Sequence, residues 1–356
     1  MVKGPTVYDV AERAGVSIAT VSFAFTQPHR VRESTRNSVL DAARELGYVP
    51  SASARGLAKG RTGALGLFSF DFLNLLPEAE TDRTATGGAP DDFLQFPIWV
   101  DEVQRGVELE CFRRGYALMI GGGNKASSER AVTDIAGRVD GLIIFPRTIP
   151  AEVTRRISGR IPVVELSDPS GDSRLHHVTI DNASGIRQLM EHLIGIHRFR
   201  KFMFVSILNA ETEARYNAYS TALAAHGLDV QPPLESRPGS SAVTPELVAE
   251  LKDSGSLPDC FVCANDQEAV VVLETLKAAG IAVPDQVAVT GFDGIVAGRL
   301  VKPTLTTVRQ PMELIGRTAV EILIDTLTDP TAAPAHRQLP VSLAVRESCG
   351  CRAGGD

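Results

Sequence analysis

Two cysteine motifs concentrate the most reactive chemistry in the 356-residue chain: Cys260-Phe261-Val262-Cys263 and Cys349-Gly350-Cys351. Closely spaced thiols bind soft metals or cycle through a disulfide when further ligands complete the set. The first motif lies in an apolar run, 259–264, with the composition of a buried strand. Alternation along a strand sends residues three apart to opposite faces, so these two thiols can neither chelate one ion nor reach disulfide distance. No second C-x-x-C or histidine pair completes a zinc set. The cysteines therefore read as small buried apolar residues, with the 349–351 pair in a frayed tail and no metal site. Gly121-Gly122-Gly123-Asn124-Lys125 lacks the G-x-x-x-x-G-K-[ST] spacing of a phosphate loop and reads as a turn after a strand. No Ser-His-Asp set or carboxylate pair is legible, so neither an enzyme nor a cofactor is expected.

Charge is the second chemical signal. Lys and Arg number 36 against 43 Asp and Glu, a net −7, which taken whole is not a nucleic-acid binder's balance. The charges are sorted by position, however: residues 1–61 carry nine basic and five acidic side chains, a net +4, and the remainder carries −11. A small basic module on a large acidic body points to a nucleic-acid-binding segment on a soluble carrier. With 44% hydrophobic and 22% charged residues the chain is ordinary globular material, long enough for two or three domains. The most apolar stretch, 64–76, is interrupted by Asp71 and Asn74 and falls short of a membrane span. The first residues lack the apolar core of a secretory signal, so a cytoplasmic protein is expected, with no membrane partner.

Elements must position these groups. Val7, Val10, Ala11 and Ala14 recur at i, i+3, i+4 and i+7, one face of a helix that Thr6 can cap. Gly15-Val16 breaks the pattern, Ser17 can cap a second short helix to about Phe25, and a third covers about 34–46, burying Val39, Ala42, Ala43 and Leu46. From residue 64 onward short apolar runs alternate with helical periods. Strands are expected at 64–70, 116–120, 141–145, 162–166, 178–180, 201–207, 260–264, 287–290, 305–308 and 340–345. Helices are expected at 99–114, 151–158, 183–196, 213–226, 245–252, 267–279 and 312–327. Such alternation implies parallel sheets covered on both faces, and this many strands implies two sheets with a cleft between them. The segment 51–61 has helix formers at its centre but is too short to hold a helix unaided.

The stretch from Thr6 to Ser22, TVYDVAERAGVSIATVS, places a glycine turn between two helices, the geometry that sets a second helix into the DNA major groove. It resembles the head-piece of the lactose-repressor (LacI/GalR) family of bacterial regulators. The resemblance continues through Val31-Arg32-Glu33-Ser34-Thr35-Arg36, Leu46-Gly47-Tyr48-Val49-Pro50, Ala54-Arg55-Gly56-Leu57-Ala58, Val139-Asp140-Gly141, Asp181-Asn182, Ala264-Asn265-Asp266, Gly291-Phe292-Asp293, Pro303-Thr304-Leu305-Thr306 and Val345-Arg346-Glu347-Ser348. It covers nearly the whole chain, and the order of the motifs is more specific than any one of them.

The resemblance implies an α/β protein. A small all-α helix-turn-helix head-piece (1–50) and a hinge helix (51–61) join a two-subdomain, periplasmic-binding-protein-like α/β body (62–356). Its N-subdomain is expected at about 62–165 and 295–326, its C-subdomain at about 166–294 and 327–348. In the head-piece Val16, Val21 and Phe25 face inward, leaving Ile18, Ala19, Ser22 and Phe23 outward on the face that reads bases in the family. The family usually carries arginine where Phe23 stands, so a bidentate guanine contact is lost and contact with thymine methyl groups is expected instead. Packing of Phe23 or Ile18 against a neighbouring segment is the bland alternative. Thr6, Ser17, Thr20, Ser22, Thr35 and Tyr48 suit phosphate oxygens, while Arg30, Arg32, Arg36, Arg55, Lys59 and Arg61 supply positive charge. Leu57 matches the family's minor-groove wedge.

In the body the resemblance implies a small effector of the sugar or nucleoside type. Arg215, Asn265 and Asp293 match residues that hold ligand hydroxyl groups, Trp99 offers a ring to a sugar face, and Ser167 and Asp168 lie near a further ligand position. For Asn265 and Asp293 the competing reading is a turn or cap residue after a strand. The partners implied are near-palindromic double-stranded operator DNA, the effector and a second copy of the chain. The resulting expectation is an effector-controlled transcriptional regulator, in practice a repressor. The alternative is a solute-binding protein without DNA-linked regulation.

Overall fold

Thr6 opens the first helix, α1 (Val7–Ala14), by donating its backbone N–H and its hydroxyl to the Asp9 carboxylate at 2.6 and 2.7 Å, and its Oγ1 accepts the Asp9 N–H at 3.4 Å. This reciprocal cap satisfies donors that a helix start otherwise leaves bare. Gly15, at φ 65°, ends the helix in a left-handed turn that glycine adopts without strain. Ser17 then caps α2 (Ile18–Thr26) by accepting the Thr20 N–H at 3.1 Å. The third helix, α3 (Glu33–Leu46), starts one residue earlier than expected. Val10, Ala11, Val21, Ala24, Val39, Ala42 and Ala43 form the shared core, with Phe25 and Tyr48 packed over it, their ring centroids 6.1 Å apart.

The computed structural model describes residues 4–49, 60–69, 97–122, 128–145, 148–167, 172–207, 209–237 and 240–352. The expectations for Arg55, Leu57, Lys59 and Asp168, and for most of the 51–61 segment, lie outside these residues. The chain divides into two compact units, Met1–Gly63 and Ala64–Asp356.

In the larger unit β1 (Ala64–Phe68), α4 (Trp99–Arg114), β2 (Ala117–Gly121), α5 (Ser128–Ala136), β3 (Gly141–Ile144), α6 (Ala151–Ser158), β4 (Val163–Leu166) and β5 (His176–Ile180) build a first lobe. A second lobe follows with α7 (Asn182–Gly195), β6 (Phe202–Ser206), α8 (Ala210–Ala225), β7 (Leu234–Glu235), α9 (Pro245–Asp253), β8 (Cys260–Cys263), α10 (Asp266–Ala278), β9 (Ala288–Asp293), α11 (Ala297–Leu300) and β10 (Thr306–Arg309). The chain then returns through α12 (Met312–Thr328) and β11 (His336–Leu339) to the first lobe, and ends in β12 (Ser342–Ala344) of the second. The first sheet has the order β11-β5-β4-β3-β1-β2 and is parallel throughout; the second has the order β12-β10-β9-β8-β6-β7, with only β12 antiparallel. Helices on both faces shield these sheets, as parallel strands require. In the first lobe α4 and α12 meet at glycines: a Cβ on Gly106 would lie 2.0 Å from the Glu313 carbonyl oxygen, and one on Gly316 2.2 Å from that of Val103.

Several expectations need correction. The strand expected at 340–345 is shorter, β12 at Ser342–Ala344, and an unexpected strand, β11, ends just before Pro340, which has no N–H to offer a ladder, and joins the other sheet. Strand β5 and strand β11 belong to the first sheet, and β10 to the second, so the lobes exchange near 181, 310 and 340 rather than at 165, 294 and 326. A strand's composition shows that it will be buried but not which neighbour it pairs with. Helix α5, whose first turn is polar, and the two-residue β7 were not expected. Cys260 and Cys263 do face opposite sides of β8, each in a different core cluster, and burial pushes both thiols up. The 349–351 segment is no frayed tail: Cys349 is fully buried in a short 3-10 turn, Glu347–Cys349. Among the described residues no helix is long and apolar enough to cross a membrane.

Candidate nucleic-acid interface and effector site

On α2 the buried residues Val21 and Ala24 fix the helix, which leaves Ile18, Ala19 and Ser22 exposed and Phe23 half-buried. Ile18 is 41% exposed although apolar. The guanidinium of Arg30 lies over the Phe23 ring, 4.8 Å from its centroid, and also donates to Gln27 at 3.0 Å. An arginine therefore stands against the same face, carried by a neighbouring turn and held by a cation–π contact. The hydroxyls divide. Thr6, Ser17 and Thr20 serve local caps, with Ser17 Oγ and Thr20 Oγ1 2.9 Å apart, and Tyr48 packs in the core. Ser22 is exposed and Thr35 half-buried near the start of α3. Arg36, on the next residue, has a buried Nε with no hydrogen-bond partner among the described residues.

The body gathers its polar groups at the carboxyl ends of strands, where open parallel sheets bind ligands. Asn209 caps α8, which carries Arg215 nearly two turns further on, at the ends of β8 and β9. Arg215 Nε donates to Asn182 Oδ1 at 2.9 Å; Nη1 donates to the Ala264 carbonyl at 2.5 Å and to Asp293 Oδ1 at 3.4 Å. Nη2 lies 3.8 Å from Glu211, and the guanidinium stacks 3.8 Å over the Phe292 ring. Asp293 Oδ1 also accepts the Gln310 amide at 2.5 Å. Buried charges persist only when paired and hydrogen-bonded, and Arg215 and Asp293, whose side chains are 6% and 4% exposed, meet that condition together. Burial raises the Asp293 carboxyl to about 6, against the opposing pull of Arg215 and Gln310.

Asp266 supports this arrangement from beneath. Its Oδ2 accepts the N–H groups of Gly294 and Ile295 at 2.8 and 2.9 Å, and its Oδ1 accepts the Thr307 hydroxyl at 2.5 Å. It thus holds a turn in which Asp293 adopts φ 119° and Gly294 φ 82°. Gly294 also lies against β10, where a Cβ would come within 2.7 Å of Arg309. Burial pushes the Asp266 carboxyl well up, and the neighbouring Asp293 adds to the effect.

Of the residues expected at the effector site, Arg215 and Asp293 come together directly. Asn265 is adjacent but acts as the cap of α10, its Oδ1 accepting the Glu268 N–H at 2.8 Å. Trp99 opens α4 and meets Phe145, at the end of β3, edge-on at 5.4 Å. The preceding residue, Ile98, donates its N–H to Gln267 of α10 at 2.8 Å, which ties the first lobe to the second beside the cluster. Ser167 directly follows β4 of the first lobe with φ 64°, buried, its N–H donating to the Val178 carbonyl at 2.8 Å. Sequence reasoning missed Asn182, Glu211, Phe292, Asp266 and Gln310. Asn182, Asp266 and Phe292 sit inside recognised motifs and were within reach; nothing in the local sequence marks Gln310.

Comparison with known proteins gives a consistent picture. The family described as bacterial regulatory proteins, lacI family, matches residues 6–51, and the periplasmic binding protein-like domain matches residues 190–349. The HTH-type transcriptional regulator CelR of Thermobifida fusca is 31% identical over 354 residues, covering 97% of this chain and 98% of its own. The lac repressor dimer bound to operator and the anti-inducer ONPF aligns with a TM-score of 0.78 at 22% identity, covering 98% of this chain and 99% of its own, a likeness of fold. A complex of the transcriptional regulator CelR with cellobiose aligns with a TM-score of 0.64 at 26% identity, covering 97% of this chain and 99% of its own.

Proposed function

The chain belongs to the LacI family of bacterial transcriptional regulators, and from that premise we propose that it is a homodimeric repressor whose operator affinity is set by a sugar-class effector held at the Arg215–Asp293 cluster. The observation that carries the effector half is the bond from Gln310 to Asp293. Gln310 lies where the chain passes from β10 of the second lobe to α12 of the first. A ligand that takes up Asp293 therefore competes for a contact belonging to the crossover, and closure of the lobes is coupled to occupancy. A polyol suits the site, because a guanidinium, a carboxylate and two amides offer donors and acceptors to adjacent hydroxyls. The cellobiose bound by a 26%-identical relative supports the same class.

On the DNA side Ile18, Ala19 and Phe23 meet base edges, with Arg30 brought to that face by its stack on Phe23. Ser22 and Thr35 contact phosphates, while Thr6, Ser17, Thr20 and Tyr48 hold the helices that present them, with further charge from Arg55 and a minor-groove wedge from Leu57. The domain plan is a head-piece at 1–50, a hinge at 51–61 and a body at 62–356, the hinge ordering or releasing with the effector state. Exposed apolar side chains on both lobes, Phe112 at 83% and Leu300 at 76%, support pairing of two bodies.

The test uses the full chain. A thermal-shift screen of mono- and disaccharides should find a ligand that raises the melting point by mass action, and that ligand should change operator affinity. Operator binding itself should weaken steeply with salt as phosphates are neutralised. A ligand that binds but leaves operator affinity untouched, or a flat salt response, sinks the reading.

A further inference from the structure

The elimination of a metal site from the sequence fails in three dimensions, because a histidine pair is present after all. His192 lies in the last turn of α7 and His197 two residues beyond its end, and together they meet Cys349 and Cys351 from the other end of the second lobe. The four ligand atoms all lie within 4.8 Å of one another. His192 Nε2 is 3.1 Å from His197 Nε2, 3.6 Å from Cys349 Sγ and 3.7 Å from Cys351 Sγ; Cys351 Sγ is 3.4 Å from His197 Nε2. One imidazole nitrogen makes a single hydrogen bond, so bonds among these groups account for only part of the crowding around His192 Nε2. A shared central ion accounts for all of it. With zinc bonds of about 2.0–2.1 Å to nitrogen and about 2.3 Å to sulfur, the edges of a tetrahedron run about 3.3 Å between nitrogens and about 3.5 Å from nitrogen to sulfur. The observed separations differ from these by a few tenths of an ångström.

We propose that His192, His197, Cys349 and Cys351 form a structural Cys2His2 zinc site that clasps the end of the chain to α7. Two imidazoles and two thiolates select a soft or borderline cation, and with a divalent ion the assembly is neutral, which suits a half-buried position. The surroundings orient the ligands. Gly350, at φ 99°, turns the chain so that both thiols face the histidines. Ser348, buried beside Cys349, donates to the Val289 carbonyl at 2.5 Å and accepts the Thr306 N–H at 2.9 Å, so the turn is pinned to the second sheet. The Thr306 hydroxyl lies 3.2 Å from Cys349 Sγ, within reach of a thiolate, and the Phe199 ring stacks on His197 at 5.1 Å. Such outer partners fix ligand orientation in metal sites. Helix α7 begins at Asn182, which holds Arg215, so the clasp secures the far end of the helix that serves the effector cluster.

The experiment is metal analysis of the full chain purified in reductant, with cobalt(II) exchanged for zinc as a spectroscopic probe. About one zinc per chain is expected, and the cobalt form should show the intense visible and thiolate charge-transfer bands of a tetrahedral site. A chelator should lower the melting point of the native chain but not that of Cys351→Ser or His197→Ala, whose ligands sit at the accessible rim and whose folding is checked by circular dichroism. Trace zinc in a protein with free thiols, a Cys349–Cys351 disulfide under reductant, or zinc retained in full by the His197→Ala/Cys351→Ser double variant would each overturn the assignment. The readouts are independent of DNA and sugar, so their failure leaves the proposed regulatory function standing.

Discussion

In the helical unit the side chains offered for recognition, Ile18, Ala19 and Ser22, stand exposed on one nine-residue helix, whereas in the body Arg215 and Asp293 are buried and hold on to one another. The contrast follows from what each region faces. A groove of DNA is read by a convex element whose outward face needs little internal support beyond caps and a small core. A small ligand is enclosed, and enclosing charged groups removes their water, so each must find partners within the protein. The head-piece can be assembled from one continuous stretch; the body cluster draws on residues 182, 211, 215, 264, 292, 293 and 310.

The contrast can be broken most forcefully at Arg215. Removing one member of a buried ion pair strands the other, so Arg215→Ala should cost about 3–5 kcal/mol in urea unfolding of the body. Amide exchange in residues 7–46 should stay unchanged; a matching loss there would mean that the two regions are not independent. Next in size is a pH effect. Burial raises folded Asp293 to about 6, so the native state binds a proton that the unfolded chain, with an ordinary aspartate, releases at lower pH. The contribution of Asp293 to stability is therefore fullest at low pH and declines as pH rises through about 6. Relative to Asp293→Asn, the wild-type chain should gain stability as pH falls from about 7 to about 5. A constant difference between the two melting curves would contradict this assignment.

Two smaller effects sharpen the other side of the comparison. Phe23→Arg offers guanine a bidentate partner and should shift preference at one operator position by about 1–3 kcal/mol, read from selection on a randomised operator. An unchanged preference would remove Phe23 from the recognition face. Ser17→Ala removes the cap of α2 and should cost about 1 kcal/mol, seen as faster amide exchange confined to the head-piece.

Much of the helical unit was legible because its determinants are local. Thr6 and Asp9 cap within three residues, Gly15 and Gly47 stop their helices, and apolar periods of three and four residues pick out the core. What escaped there was the contact of Arg30 with Phe23, since a side chain's reach across a turn leaves no periodic trace. In the body the alternation of strands and helices was equally legible, and so was the separation of Cys260 from Cys263, because both follow from backbone geometry. The positions of Arg215 and Asp293 were reached by family resemblance, but Gln310 was not, because its role depends on lying beside a strand end 17 residues away.

The sequence by itself therefore determined the identity of the modules, their order, their charge and the local geometry of most helices. Tertiary structure decided which sheet each strand joined, which carboxylates and amides surround Arg215, and that His192 stands beside Cys349, 157 residues further on. The physical reason is the range of the interactions involved. Caps, turns and amphipathic periods are written within one or two turns of chain, whereas pairing partners, desolvated ion pairs and converging ligands come together only when distant segments are packed into a common interior.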